Sequence, residues 1–429
     1  MALLLALAGC ERTFPTCEVS DVLPAVASAP GWHADVRPIF ETRCARCHVD
    51  GGIGGFALTT WAEAEQWAGA AGAAVLAGRM PPWKAASCCQ DYRNDFDVTP
   101  EEAALIQAWA DAGAPEGDEA DYVPPDVPST ALPRVDLSLE MSEEYLPTPA
   151  GGETDLERCF LLDWPASETR YVTGLGVRPG NPALVHHAIV FIAGPEVVAG
   201  FEALDAADPG AGWSCPGGVV WGATGWIGGW SPGWEAQVFP GDLGQEVASG
   251  SKLILSVHYS VEEPVLAPDR TTVDLLLADT VSGGLESISV YDPAWLSGGL
   301  VIPAGDADVV HSHVMTPTPR ADGEDRELVA VNLHMHERGR RGQVAIRHQD
   351  GSTTCLLQID DWDYDWQSDY QLDAPITLRA DDQLLVECHF DNSASNQRVV
   401  GGSLETPRAL NWADDEEMCV GFVTARQDW

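Results

Sequence analysis

Leu184-Val185-His186-His187-Ala188-Ile189-Val190-Phe191-Ile192 is the stretch on which the fold turns. Its run of β-branched and aromatic residues reads as a strand. Similar runs recur at Lys252–Tyr259, Thr272–Leu277, Leu328–His336 and Gln383–Phe390, separated by clusters of Gly, Pro, Asp and Ser. Few segments beyond Val135 have helical periodicity, which is the pattern of antiparallel sandwiches. About 300 residues exceed the ~100 of one such sandwich, so two are expected, over 135–268 and 269–429.

Upstream the texture differs. Residues 20–118 are rich in Ala and Trp and read as helical. Thr99-Pro100-Glu101-Glu102 is a helix start: a capping Thr, Pro at the first helical position and Glu at the third. Leu105, Ile106, Trp109 and Ala112 then make one apolar face, and Gly113 with Pro115 ends it. An acidic, Pro-rich linker follows over 119–134.

The chain has 429 residues, 45% of them hydrophobic, enough for real cores, and it carries 23 Lys and Arg against 66 Asp and Glu, a net charge of −43. Such a field repels phosphate backbones and anionic lipid, so no nucleic-acid partner is expected. The opening Met1-Ala-Leu-Leu-Leu-Ala-Leu-Ala-Gly-Cys10 resembles a bacterial lipoprotein signal: residues 1–9 are removed and Cys10 takes the lipid. No basic residue precedes the apolar run, which departs from that pattern. An exported, periplasmic or cell-surface lipoprotein follows, touching membrane only through its anchor. Eleven cysteines agree with an oxidising compartment.

Cys44-Ala45-Arg46-Cys47-His48 is a C-x-x-C-H motif. The two thiols bind haem vinyl groups and the adjacent His ligates iron. A zinc site would need a second C-x-x-C, and a redox dithiol would sit beside a βαβ pattern; neither is present. Met80, in Gly78-Arg79-Met80-Pro81-Pro82-Trp83, is the candidate distal ligand, its alternative being packing against the haem edge. With the closing run Ala108 to Asp118, these motifs resemble small bacterial monohaem cytochrome c domains over about 90 residues.

Five of the eleven histidines lie in three tight settings: His186-His187, His258 within Leu255 to Tyr259, and His334-Met335-His336. Residues i and i+2 of a strand share a face, so His334 and His336 can grip one ion. Adjacent His186 and His187 would point to opposite faces, so a shared metal requires a bulge or strand end there. His311-Ser312-His313 is a second His-x-His without companions, and His33, His348 and His389 read as structural or exposed.

Val185 to Phe191, Val257 to Tyr259, His334 to His336 and Asp415 to Cys419, in that order, resemble the motifs of the copper type II, ascorbate-dependent monooxygenases. The resemblance, which runs from about Leu137 to the end, implies two coppers. One is an electron-storing ion on His186, His187 and His258. The other is an O2-binding ion on His334, His336 and Met418, which would be the catalytic set. A thioether suits the soft cuprous state that binds O2. It also implies paired jelly-roll-like sandwiches, with disulfides Cys159–Cys215 and Cys388–Cys419; Cys17, Cys88, Cys89 and Cys355 stay unassigned.

The fold class expected is thus a small all-α cytochrome c domain followed by two antiparallel, jelly-roll-like sandwiches. The reaction implied is R–H + O2 + two electrons + two protons giving R–OH and water. Its cofactors are two coppers and haem c, with ascorbate or a donor protein as reductant and a small molecule as substrate. The family's carboxylate-anchoring Arg is replaced by Asn332, and Val420 and Phe422 stand where an Asn and a Tyr would follow the Met-Cys. A more apolar substrate is expected. The rival readings are a haem and copper electron-transfer lipoprotein without hydroxylase activity, and a binding module whose histidines are incidental.

Overall fold

A computed structural model describes residues 23–428, apart from 94, 126–130, 150–153, 216–219, 221, 235, 262–266, 321–322, 401–402 and 414–415. Residues 1–9, expected to be a signal, Cys10, expected to carry a lipid, Cys17 and the acidic pair Asp414-Asp415 therefore lie outside the described residues.

The described residues are mostly β, with four α-helices among them, at Arg37–Ile39, Trp61–Leu76, Pro100–Asp111 and Val198–Ala207. Every strand ladder is antiparallel, and the sheets are small. One joins Leu137–Glu140, Thr272–Ala278, Arg170–Arg178, Ala236–Val238 and Gln245–Val247. A second joins Trp213–Ser214, Asp155–Asp163, Lys252–Ser260, Val185–Ala193 and Gly225–Trp230. Leu175, Val190, Leu255, Val273 and their neighbours on these two sheets bury one apolar cluster.

Two four-stranded sheets follow. Gly283–Val290, Val420–Asp428, Arg326–His334 and Tyr370–Leu378 make one; Val309–Met315, Gln383–Phe390, Gly339–Arg347 and Thr353–Ile359 make the other. Val331, Val344, Leu357, Val386 and Val423 fill a second cluster from both.

The expectation of an all-α cytochrome domain followed by two jelly-roll-like sandwiches is corrected here: the described residues form a set of small sheets, and among them no clear all-α domain is shown. The helix Pro100–Asp111 does form with the expected capping box on Thr99 and Glu102, and it buries Ile106 and Trp109. Gly113 leaves it with φ +83°, a conformation that favours glycine. Between the helices, however, the chain crosses into the β body. Trp83, Tyr92 and Phe96 bury in the second cluster, while Trp32, Phe40, Ile106 and Trp109 bury in a separate cluster with the helices. Ala85 bridges Ile359, and Tyr92 bridges Leu372 and donates its hydroxyl to the Leu356 carbonyl at 2.8 Å. Cys89 is bonded to Cys355, 266 residues away. A helical reading of composition missed a segment whose rings are shared with a sheet.

Cys159–Cys215 and Cys388–Cys419 are the other two described disulfides. Three bridges fit an oxidising, exported setting, and no helix among the described residues is long and apolar enough to cross a membrane.

Replacing Cys89 and Cys355 together by Ser is expected to lower unfolding stability by about 2–4 kcal/mol. Urea titration of the oxidised parent and the double variant checks this. An unchanged midpoint would show that packing alone holds the crossing segment.

Candidate metal centres and the cavity between them

His187 and His258 are direct partners across the ladder of Val185–Ala193 and Lys252–Ser260. The register slips between Val185 and His187, leaving His186 as the extra residue of a bulge. That slip turns two consecutive imidazoles toward one point. Nδ1 of His187 lies 3.4 Å from Nδ1 of His186 and 3.2 Å from Nδ1 of His258. The three ligand atoms lie within 4.8 Å of one another.

The protons decide what this convergence can do. Nε2 of His258 lies 2.9 Å from Asp155 Oδ1. The carboxylate accepts, so Nε2 carries the hydrogen and Nδ1 presents a lone pair to the centre. Nitrogen–nitrogen edges of this length suit an ion with metal–nitrogen bonds of about 2.0 Å. Burial pulls His186 down to about 4 from an ordinary 6.5 and holds His187 well below that ordinary value, so both stay neutral and able to ligate. Among the described residues this is the one cluster of three His, Cys, Asp or Glu side chains so placed. His311 and His313 instead pack edge-on to Trp295.

His334 ends the strand Arg326–His334, and His336 lies just beyond; their ring centroids are 5.0 Å apart. Nδ1 of His334 donates to Gln367 Oε1 at 2.7 Å, and the Gln367 amide nitrogen donates to the Tyr364 carbonyl, fixing its orientation. Nε2 of His334 and Nε2 of His336 are buried without a partner. Two orphaned imidazole nitrogens in one place are what a missing cation would satisfy. Burial, with His334 nearby, pulls His336 down to about 3. Met418 is buried. His334 pairs with Val420 at the end of the ladder, two residues after Met418 in the chain. Glu417 accepts the backbone N–H of His336 at 3.0 Å and of Arg338 at 2.6 Å.

One loop joins the two groups. Trp362 donates its indole N–H to the His336 carbonyl at 3.0 Å. The Tyr364 ring lies 6.2 Å from that of His258 and 5.9 Å from that of His336. A cavity of about 190 Å³ opens between them, and both His187 and His334 line it. Phe191, Trp226, Trp230, Trp234 and Phe422 supply apolar walls, and Asn332, Gln237 and Asp369 supply polar ones. Asn332 pairs with Phe422 across the ladder and donates its amide to the Ser368 carbonyl at 2.8 Å. Among the described lining residues there is no Lys or Arg. Sequence reasoning passed over Asp155, Tyr364, Gln367 and Asp369. The cluster of rings in Trp362-Asp-Tyr364-Asp-Trp366 was the available signal, although the segment folds as a turn with the Trp366 backbone N–H on the Asp363 carbonyl.

Cys44, Cys47, His48 and Met80 line a separate cavity of about 440 Å³ with Phe56, Trp67 and Phe96. Neither thiol is in a disulfide, and burial pushes Cys44 up to about 12 and Cys47 up to about 11. Nδ1 of His48 donates to the Phe56 carbonyl at 3.2 Å, which leaves Nε2 as the ligating nitrogen. Gly54 lets the following loop close over that ring: a Cβ there would stand 2.5 Å from His48 Nδ1.

Two outcomes follow from this geometry. Asp155→Ala is expected to weaken metal binding by the three histidines about 10–100-fold, read by competitive chelator titration. Unaltered affinity would mean the carboxylate does not set the His258 tautomer. Second, the unfolded chain binds more protons than the fold between about 4 and 6.5, because His186 and His336 are held neutral inside. Stability of the metal-free protein therefore falls as pH drops through that window. Denaturant midpoints that stay level from pH 7 to pH 5 would contradict it.

Comparison with known proteins agrees with the C-terminal part of this picture. Residues 301–425 match the model of the copper type II ascorbate-dependent monooxygenase C-terminal domain. DBH-like monooxygenase protein 2 of Mus musculus is 26% identical over 241 residues, covering 52% of this chain and 36% of the mouse protein. The corresponding Homo sapiens protein is 26% identical over 265 residues, 57% of this chain and 47% of its own. The chain thus spans less than half the length of the curated relatives it matches. Among solved structures, the major capsid protein P2 of bacteriophage PM2 aligns over 68% of this chain and 97% of its own. Its identity is 11% and its TM-score 0.28, too low to inform the fold. The family match is thus confined to the C-terminal part of the chain, and the two relatives are similar to it at 26% identity.

Proposed function

We propose that the protein is a copper-dependent monooxygenase that hydroxylates a C–H bond with O2 and two electrons, with a haem c as electron relay. The observation that carries this reading is that His187 and His334, one from each histidine group, face the same small cavity. A substrate there is within reach of both.

In this reading His186, His187 and His258 hold the electron-storing copper, and His334, His336 and Met418 hold the one that binds O2. When bound, copper supplies one-electron chemistry and oxygen activation. The protein's own work is positional. Asp155 and Gln367 fix two imidazole tautomers, and Tyr364 spaces the groups. Phe422 and the tryptophans present an apolar surface to a neutral or apolar portion of the substrate. Without Lys or Arg in the lining, a carboxylate has no counter-ion there, so terminal amidation of peptides is disfavoured.

Cys44, Cys47, His48 and Met80 would hold the haem, which supplies a one-electron couple when bound. Supporting this are two free thiols on one cavity and a His48 ring whose Nδ1 hydrogen is already committed to a carbonyl. Cys10 would anchor the exported protein to lipid, and ascorbate or a donor protein would supply electrons from outside.

Metal and haem analysis of purified protein, then ascorbate-driven O2 uptake across a panel of apolar substrates, tests the reading. Substrate-dependent uptake that requires copper is expected. His334→Ala should abolish it while the three-histidine cluster keeps its metal. Copper without substrate-dependent uptake would leave an electron-transfer lipoprotein instead; neither copper nor haem would leave a binding module. His48→Ala should abolish turnover from a donor protein and spare the ascorbate-driven rate, and undiminished turnover from that donor removes the relay.

A further inference from the structure

Trp366 belongs to two sites at once. Its indole meets the His186 ring edge-on, with centroids 5.5 Å apart and planes at 63°. It also lines the cavity of Cys44, Cys47, His48 and Met80. Among the described residues of that lining, all others fall between Phe40 and Ile106; Trp366 alone comes from the β body.

Its position is constrained from both sides. The Trp366 N–H donates to the Asp363 carbonyl at 3.1 Å. Tyr364 is wedged between His258 and His336, and Gln367 is tied to His334. The backbone that carries Trp366 is therefore held beside partners of both histidine groups. The Cys44–Cys47 segment has another contact with the β body, Arg46 Nη1 to the Gly233 carbonyl at 3.0 Å. That contact leads to Trp230 and Trp234 on the wall of the substrate cavity, whereas Trp366 touches an imidazole of the cluster itself.

We propose that Trp366 is the electron bridge between a haem in the Cys44/Cys47/His48 cavity and a copper on His186, His187 and His258. The proposal rests on the reading of those two sites given above. Electron exchange weakens steeply with every unfilled gap, and a π-system packed against both the cavity and a ligand ring leaves the fewest. Each event moves one electron: ferrous iron becomes ferric, cupric copper becomes cuprous, and no proton or covalent bond changes. Ascorbate or a donor protein, a one-electron reductant, restores the iron.

The test uses the full-length protein carrying both groups. The haem is reduced anaerobically with a limiting reductant, and its absorbance is followed as the cupric EPR signal disappears. Trp366→Leu is expected to slow that internal transfer roughly tenfold or more, while Trp366→Phe restores most of it. Haem content, copper content and the cupric EPR spectrum serve as controls that a merely structural change would disturb. If Leu disturbs them, Trp366→Met keeps side-chain bulk without a ring and is read the same way. A ringless variant that transfers at the parent rate with both groups bound overturns the bridge alone. A parent protein that binds both groups yet transfers nothing overturns the relay reading and the bridge with it.

Discussion

The hydrogen bond from His334 Nδ1 to Gln367 Oε1 is the contact on which the centre of this molecule depends. It sets the tautomer of one candidate ligand, and it pins the loop that carries Trp362, Tyr364 and Trp366. Those three rings reach His336, His258 and His186 respectively. Loops usually tolerate change because few contacts restrain them. This one is restrained at every second residue, with its aspartates on the alternate positions and its rings turned inward.

Burial does the remaining electrostatic work. A chain with a net charge of −43 could be expected to protonate its histidines readily, since negative surroundings favour the cation. Within the centre the opposite holds: removal from water outweighs the distant carboxylates and keeps His186, His187, His334 and His336 neutral. Neutral imidazoles are the form that can ligate a metal. Asp155 accepts from His258, and Glu417, which burial pushes up to about 8, accepts the backbone N–H groups of His336 and Arg338.

Local chemistry was legible in the sequence where residues are close in the chain. The Thr99 capping box, the strand at Val185–Ala193 and the need for a bulge at the His186-His187 pair all follow from spacing, and the register slip supplies that bulge. The all-α domain was not there, because composition cannot show that Trp83, Tyr92 and Phe96 bury in the cluster of the C-terminal sheets. Asp155, Gln367 and Asp369 were invisible for the same reason. Each is an ordinary polar residue until the sheets bring it against an imidazole or a cavity wall. Met418 was singled out by resemblance, and it is buried.

The bond between Cys89 and Cys355 has a kinetic meaning beyond stability. Two freely diffusing, strongly acidic bodies repel each other, and their meeting would quicken as added salt screened that repulsion. Here the segment bearing Cys44 and Cys47 is covalently fastened to the sheets that carry the histidines, so its partner is permanently at hand. Communication between the two regions should then be first-order in protein and indifferent to dilution and brine alike, a suitable arrangement for a molecule exposed to whatever medium lies outside the cell.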